Sequence, residues 1–299
     1  MHPLPFMAVG SCPVADRSAY EPIRVPEPAA RTVLTTGANS GIGLATAIEL
    51  ARRGFRSVGS VRSREKAEIV AAAAGRAGVA VETVMLDVTD GDQCARVIDA
   101  IRPYGLVNNA GYPAAGAIQD VDDLEVRRIL ETVVIAPMRL ARLALRHMEA
   151  NGGGRIVNVS SVYGRIATPL SGWYQAAKHA LEAASDALRV EVASTGVRVV
   201  VVEPGAFRTG IWEETARDMR RRPGARYGEA YRRSLTGMRR TQRLMGDPAT
   251  VAAVIARAMT ARRPRARRLV GNDARLLVLI DRLAPTALKD RIERLMLGL

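Results

Sequence analysis

The chain has 299 residues, 48% of them hydrophobic, enough to bury the core of one large α/β domain or two small ones, and no break in composition marks a boundary. Two cysteines, Cys12 and Cys94, are too few for a disulfide framework or a zinc site, so no metal and a reduced, cytoplasmic setting are expected. The net charge of +14 comes from 44 Lys plus Arg against 30 Asp plus Glu, yet only Lys66, Lys178 and Lys289 are lysines; this reads as a general preference for Arg, with no recognition motif to make it a nucleic-acid surface.

Residues 1 to 30 hold Pro3, Pro5, Pro13, Pro22, Pro26 and Pro28 without an apolar period, and a disordered or loosely attached arm is expected there. They lack the basic flank and long apolar core of a signal peptide. No run of about 18 apolar residues occurs, so stable membrane insertion is not expected. From Arg31 a short strand, TVLTT, runs into the turn TGANSGIG and a helix over Leu44 to Arg53. At such a turn Gly37, Gly41 and Gly43 let the backbone approach a pyrophosphate, and the helix start offers it N–H groups and partial positive charge. The spacing is G-x-x-x-G-x-G, not the general dinucleotide fingerprint G-x-G-x-x-G.

Arg56 to Val61 reads as the second strand, ending in Arg62 where an acid would mark an NAD site. An Arg there suits the 2′-phosphate of NADP. A third strand over Val79 to Val88 carries Asp87 at its end, able to bond an adenine amino group or to cap the next turn. A helix over Asp90 to Ile101 and a fourth strand over Gly105 to Asn108 lead into Asn108–Gly111. Asp122 to His147 has the period of a long amphipathic helix, with a bend expected at Pro137, which lacks a backbone N–H.

Arg155 to Leu181 concentrates the chemistry. Ile156 to Val159 reads as a buried parallel strand with Ser160 and Ser161 at its carboxyl end, where open α/β sheets place ligand groups. A helix beginning near Trp173 puts Tyr174 and Lys178 four apart on one face. A fixed cation beside a phenol lowers its pKa from about 10 toward neutrality, which makes it a proton donor and acceptor. In a chain that almost always uses Arg, a Lys at this position points to a need for a compact charge. Arg198 to Glu203 is the next strand, followed by Pro204, Gly205 and Thr209. The Arg-rich residues 206 to 246 form an insertion long enough to be a lid. A helix over Val251 to Thr260 and a last strand over Arg267 to Val270 follow. The amphipathic tail from Arg275 to Leu297 is expected to pack on its own domain rather than on a membrane.

With these elements in order, the sequence resembles the short-chain dehydrogenase/reductase family from Arg31 to about residue 299. Thr36 to Gly43 match the family's cofactor loop, Asp87 its adenine-side acid, Asn108 to Gly111 its NNAG, and Tyr174 and Lys178 its Tyr-x-x-x-Lys. The family's serine stands thirteen residues before the tyrosine, which selects Ser161 over Ser160. VRSREKAE, EPGAFRT and LVGNDARLL are similar to the branch with hydroxysteroid and retinol dehydrogenases.

The resemblance implies a single Rossmann-like, doubly wound domain with a mainly seven-stranded parallel sheet. It also implies hydride transfer between NADP(H) and a carbonyl or secondary alcohol of a hydrophobic small molecule. Ser161, Tyr174 and Lys178 would be catalytic. The cofactor would meet Gly37, Asn39, Ser40, Gly41, Ile42 and Gly43 in the first turn, and Arg62, Asp87 and Val88 on the adenosine side. Asn109, Ala110, Gly111, Tyr174, Lys178, Pro204, Gly205, Phe207 and Thr209 would complete its contacts. Pairing through the long helices implies a homodimer or homotetramer. One position departs: where the family has an Asn that helps hold a relay water, this chain has Val133. The alternative is therefore an NADP(H)-binding protein with little or no turnover.

Overall fold

The computed structural model describes residues 31–222 and 226–299, so the expected N-terminal arm lies outside the described residues. Seven strands, β1 (Thr32–Thr35), β2 (Arg56–Val61), β3 (Glu82–Met85), β4 (Gly105–Asn108), β5 (Gly154–Val159), β6 (Val197–Pro204) and β7 (Arg267–Val270), form one sheet. Their order is β3-β2-β1-β4-β5-β6-β7 and every pairing is parallel.

Successive side chains on a strand point to opposite faces, and the central strands are apolar on both. Leu34, Leu106, Ile156 and Val199 enter one core layer. Their neighbours Val33, Val107, Val157 and Val200 enter the other. The first layer is closed by α3 (Gly91–Ile101) and α5 (Ala136–Ala150) through Ile98, Leu140 and Met148. The second is closed by α1 (Gly41–Arg52) and α9 (Pro248–Thr260) through Leu50, Ile255 and Met259.

Four segments differ from the sequence expectation, each for a local reason. The helix α2 (Arg64–Arg76), capped by Ser63, buries only Val70 and Ala74, so its alanine-rich sequence carries no clear apolar stripe. The third strand is shorter than Val79 to Val88. It pairs on one side only, and beyond Met85 the chain turns through bonds from Thr89 to the Asp87 carboxylate. The long helix is α4 (Asp123–Leu130), a π turn over Glu131–Ile135, and α5. Pro137 falls in the first turn of α5, directly after the widened turn, where its missing N–H interrupts the regular α-helical ladder. The tail is two helices, α10 (Asn272–Leu283) and α11 (Thr286–Leu297), because Ala284 precedes Pro285 and is extended, with ψ of 130°.

The insertion after β6 folds as α7 (Ile211–Arg221) and α8 (Gly228–Thr241). Its two ends meet at Phe207 and Gly246, which are bridged.

Candidate active site

The strand order reverses at β1, which pairs with both β2 and β4, and a crevice opens beyond the carboxyl ends at such a point. A cleft of about 1760 Å³ lies there, and all the catalytic and cofactor-binding candidates named above line it.

The nucleotide side is built from backbone and short side chains. Thr36 Oγ1 accepts from the amides of Asn109 and Ala110, both at 2.9 Å, and Asn109 Nδ2 donates back to Thr36 O at 2.9 Å and Gly37 O at 3.2 Å. These bonds lock the turn after β1 to the loop after β4. A Cβ on Gly43 would stand 2.2 Å from Gly37 O, so only glycine lets α1 start this close to the strand. Gly41 has φ of +52°, and a Cβ there would meet Thr209 at 2.9 Å, so the first turn and the loop after β6 nearly touch across the cleft. Ser40 makes no side-chain cap, which leaves the first-turn amides of α1 without a side-chain acceptor and free for an anion. A dinucleotide fits this set of groups.

Arg62 is exposed at the end of β2, lines the cleft, and has no carboxylate partner within ion-pair distance among the described residues. Asp87 is held below the ordinary carboxylate range by the Thr89 amide first, with further help from the Thr89 hydroxyl and Arg62. It caps the turn after β3. Phe207 packs into the core layer closed by α1 and α9, and its carbonyl accepts from Trp212 Nε1 at 2.7 Å.

Ser161, Tyr174 and Lys178 come together at the end of β5 and the first turns of α6 (Gly172–Glu191). Ser161 Oγ accepts from the Tyr163 amide at 3.2 Å, and the Tyr163 ring meets Tyr174 edge-on at 6.4 Å. Lys178 is buried. Its Nζ donates to Val159 O at 2.8 Å and lies 5.8 Å from the Tyr174 ring centroid.

The electrostatics differ from the sequence expectation. Burial pushes the Tyr174 phenol well above its ordinary range, partly opposed by the Ser161 hydroxyl. Burial pushes the Lys178 ammonium down to about 8, opposed by Glu182. The lysine ammonium is turned toward the Val159 carbonyl, and the phenol is governed by its own desolvation.

Val133 is buried in the π turn with Ala114, Ile129 and Ala177, and Tyr174 packs against this group. The wall beside the phenol therefore offers no side-chain polar atom from Val133.

Sequence reasoning missed the supports of this site. Asn108 Nδ2 donates to Asn158 Oδ1 at 2.8 Å and to Pro137 O at 3.2 Å, and Asn158 Nδ2 donates to Ser185 Oγ at 2.8 Å, tying β4, β5, α5 and α6. A polar Asn inside the apolar run of β5 was the available signal, since a buried amide must find partners. Behind Lys178, buried Glu182 and Glu203 share Arg267, while Arg165 reaches Glu203 at 2.9 Å. Burial raises the Glu182 carboxyl, which Ser160 and Arg267 oppose. In the insertion after β6, Arg222 reaches Ala115 O, Asp120 O and the Glu125 carboxylate, and Tyr231 Oη donates to Asp120 while accepting from the Ala117 amide.

The family description of the short chain dehydrogenases matches residues 31–220. Human retinol dehydrogenase 5 is 34% identical over 282 residues, covering 87% of this chain and 86% of its own. A short chain dehydrogenase/reductase from Burkholderia phymatum, solved with NAD, has a TM-score of 0.71 at 25% identity, covering 84% of this chain and 92% of its own. A metagenomic short-chain oxidoreductase, solved with NADP, has a TM-score of 0.63 at 26% identity, with coverages of 80% and 96%.

Proposed function

The chain belongs to the short-chain dehydrogenase family, and we propose that it is an NADP(H)-dependent oxidoreductase acting on a carbonyl or secondary alcohol of an apolar substrate. The observation that carries this reading is the meeting of Ser161, Tyr174 and Lys178 in the cleft that also holds the uncapped start of α1. A nicotinamide held there would supply or accept the hydride. In reduction Tyr174 passes its proton to the carbonyl oxygen, and the burial that raises its pKa keeps it in the protonated form a general acid needs. The Ser161 hydroxyl orients that oxygen. Lys178, fixed by Val159 O, carries the polar side of the pocket.

Related structures hold NAD in one case and NADP in another, so family membership leaves the choice open. Arg62 supports NADP(H), because a free guanidinium at the end of β2 suits a phosphate better than a ribose hydroxyl. Such a contact contributes about 1.5–3 kcal/mol, a preference of roughly ten- to a hundredfold. Fluorescence titration should show that preference for NADPH over NADH in the wild type and its loss in Arg62→Asp; an unchanged ratio overturns the assignment of Arg62.

For the substrate, Val162, Ile166, Trp212, Met219 and Leu277 give the far wall of the cleft an apolar character. The retinol dehydrogenase relative supports a lipophilic ketone or alcohol. Homo-oligomers through α4 and α5 belong to this reading, with Leu124 and Ile135 exposed on that side. A second reading, nucleotide binding without turnover, rests on apolar Val133 beside Tyr174. NADPH oxidation against ketones of graded size, with and without acidic groups, separates the two. Turnover with any of them sinks the second reading, and binding without turnover across the panel sinks the first.

A further inference from the structure

Seventeen large hydrophobic side chains are exposed among the described residues, and ten of them fall between Leu276 and Leu299. That density is far above the scatter normal for a surface. On α10 the exposed Leu276, Leu279, Ile280 and Leu283 recur every three or four residues and so form one stripe. On α11 Leu288, Ile292 and Leu295 do the same, with Met296 beside them. Leu283, Leu295 and Met296 are 72%, 69% and 69% exposed. The helices do pack on their own domain. Ala274 and Val278 reach Val162 and Ile166, and Leu297 joins Met219 and Tyr231 under the lid, but these contacts use the opposite sides of the helices.

Two observations say what covers the stripe. First, Leu277, Ile280, Ile292 and Met296 belong both to the exposed apolar surface and to the lining of the active-site cleft, so the cleft mouth opens onto this face. A second protein chain seated there would seal the mouth, whereas a lipid surface would extend the apolar path. Second, the free charges at its border are mostly cationic. Arg275, Arg282, Arg291 and Arg294 are exposed without a carboxylate partner among the described residues. On the acidic side Asp281 is paired with Lys289 and Asp273 accepts from the Ala206 amide, leaving exposed Asp290 and half-buried Glu293 against four arginines. Leucines flanked by arginines whose stems can lie along acyl chains match the pattern of helices that rest in the headgroup region.

We propose that α10 and α11 form a docking face for the surface of an anionic lipid bilayer, with the cleft mouth held against the lipid. Among the described residues no helix is long and apolar enough to cross a membrane, so the attachment is peripheral. The docking face stands on its own geometry; only its use as an entry path for an apolar substrate rests on the oxidoreductase reading.

The test is flotation of the full-length protein with vesicles of phosphatidylcholine alone or mixed with phosphatidylglycerol. The wild type should float with the mixed vesicles at least about tenfold more than with the neutral ones, and high salt should weaken this. The triple variant Leu276→Glu, Leu283→Glu, Leu295→Glu should lose about tenfold or more of that binding, and Arg282→Glu with Arg291→Glu should lose the preference for anionic vesicles. Because all these side chains are exposed, unchanged circular dichroism and NADPH quenching show that each variant is folded. No flotation of the wild type, or equal flotation of the triple variant, overturns the proposal. So does light scattering in which the triple variant turns a dimer into a monomer, because the face would then belong to a second copy. Failure of the wild type to bind NADPH would instead strike the oxidoreductase reading and leave the flotation result standing.

Discussion

The two sides of the cleft are held together in different ways. On the β1–β4 side, Thr36, Asn109 and the glycines interlock through backbone bonds near 3 Å, and a single added methyl would collide. On the β6–β7 side, the insertion of α7 and α8 hangs from long side chains, Arg222 and Tyr231, gripping the stretch from Ala115 to Glu125. A site meant to hold one constant ligand gains from backbone precision, because nothing there has to adapt. A segment held by a few polar contacts can open without disturbing the core behind it.

The sharpest break of this contrast lies at its junction. Tyr174→Phe removes the phenol that meets the Ser161 hydroxyl and leaves both sides folded, so turnover should fall on the order of 10²–10⁴-fold while NADPH binding is kept. Steady-state rates together with nucleotide titration check this, and near-normal turnover would remove Tyr174 from the reaction.

On the rigid side, Gly43→Ala forces a Cβ to within 2.2 Å of Gly37 O. Overpacking of this kind costs about 1–3 kcal/mol, and the displaced turn should weaken NADPH binding at least as much. Denaturation midpoints and titration measure the two effects separately. If Ala is tolerated in both, the turn is softer than the lid and the contrast fails.

Lys178 tests the floor of the cleft through pH. Its folded pKa, about 8, lies below the unfolded value of about 10.4, so between these the unfolded chain binds more protons and stability from this group rises with pH. Below about pH 8 the penalty is constant. Lys178→Met should therefore stabilise the nucleotide-free protein by on the order of 1–3 kcal/mol at pH 7, with the advantage fading toward pH 10. An advantage that does not change over that interval would show that the ammonium is not destabilised by burial.

The smallest effect is expected at the lid. Arg222→Ala leaves Ala115 O, Asp120 O and the Glu125 carboxylate unpaired, a local cost of about 1–3 kcal/mol. Hydrogen exchange should quicken across residues 211–222 and 226–241 and leave β1 and α1 unchanged, and KM should rise more than kcat falls. Uniform acceleration across the domain would mean that the lid is part of the core.

Much of the site was legible because its chemistry depends on residue type at fixed spacing. Gly37, Gly41 and Gly43 before a helical run, and Tyr174 four residues before Lys178, can be read without coordinates because backbone geometry makes those spacings meaningful. The limits of β2, β4 and β7 were legible from what bounds them, since each short extended segment lies between a turn or loop and a following turn or helical run. The break at Pro285 was written in the chain and overlooked, while α2 was hidden by its weak period.

What the sequence by itself determined was the order of elements, the parallel sheet and the composition of the cleft. Each depends on local periodicity or on groups near one another in the chain. Tertiary structure alone decided the protonation balance at Tyr174 and Lys178, because desolvation is set by neighbours such as Val133 and Val159 that no spacing rule links to them. It also decided which partner Arg222 found, about a hundred residues away, and which side of α10 and α11 stayed open. An apolar stripe in a sequence says that something will cover it; only the packed chain shows that its own core does not.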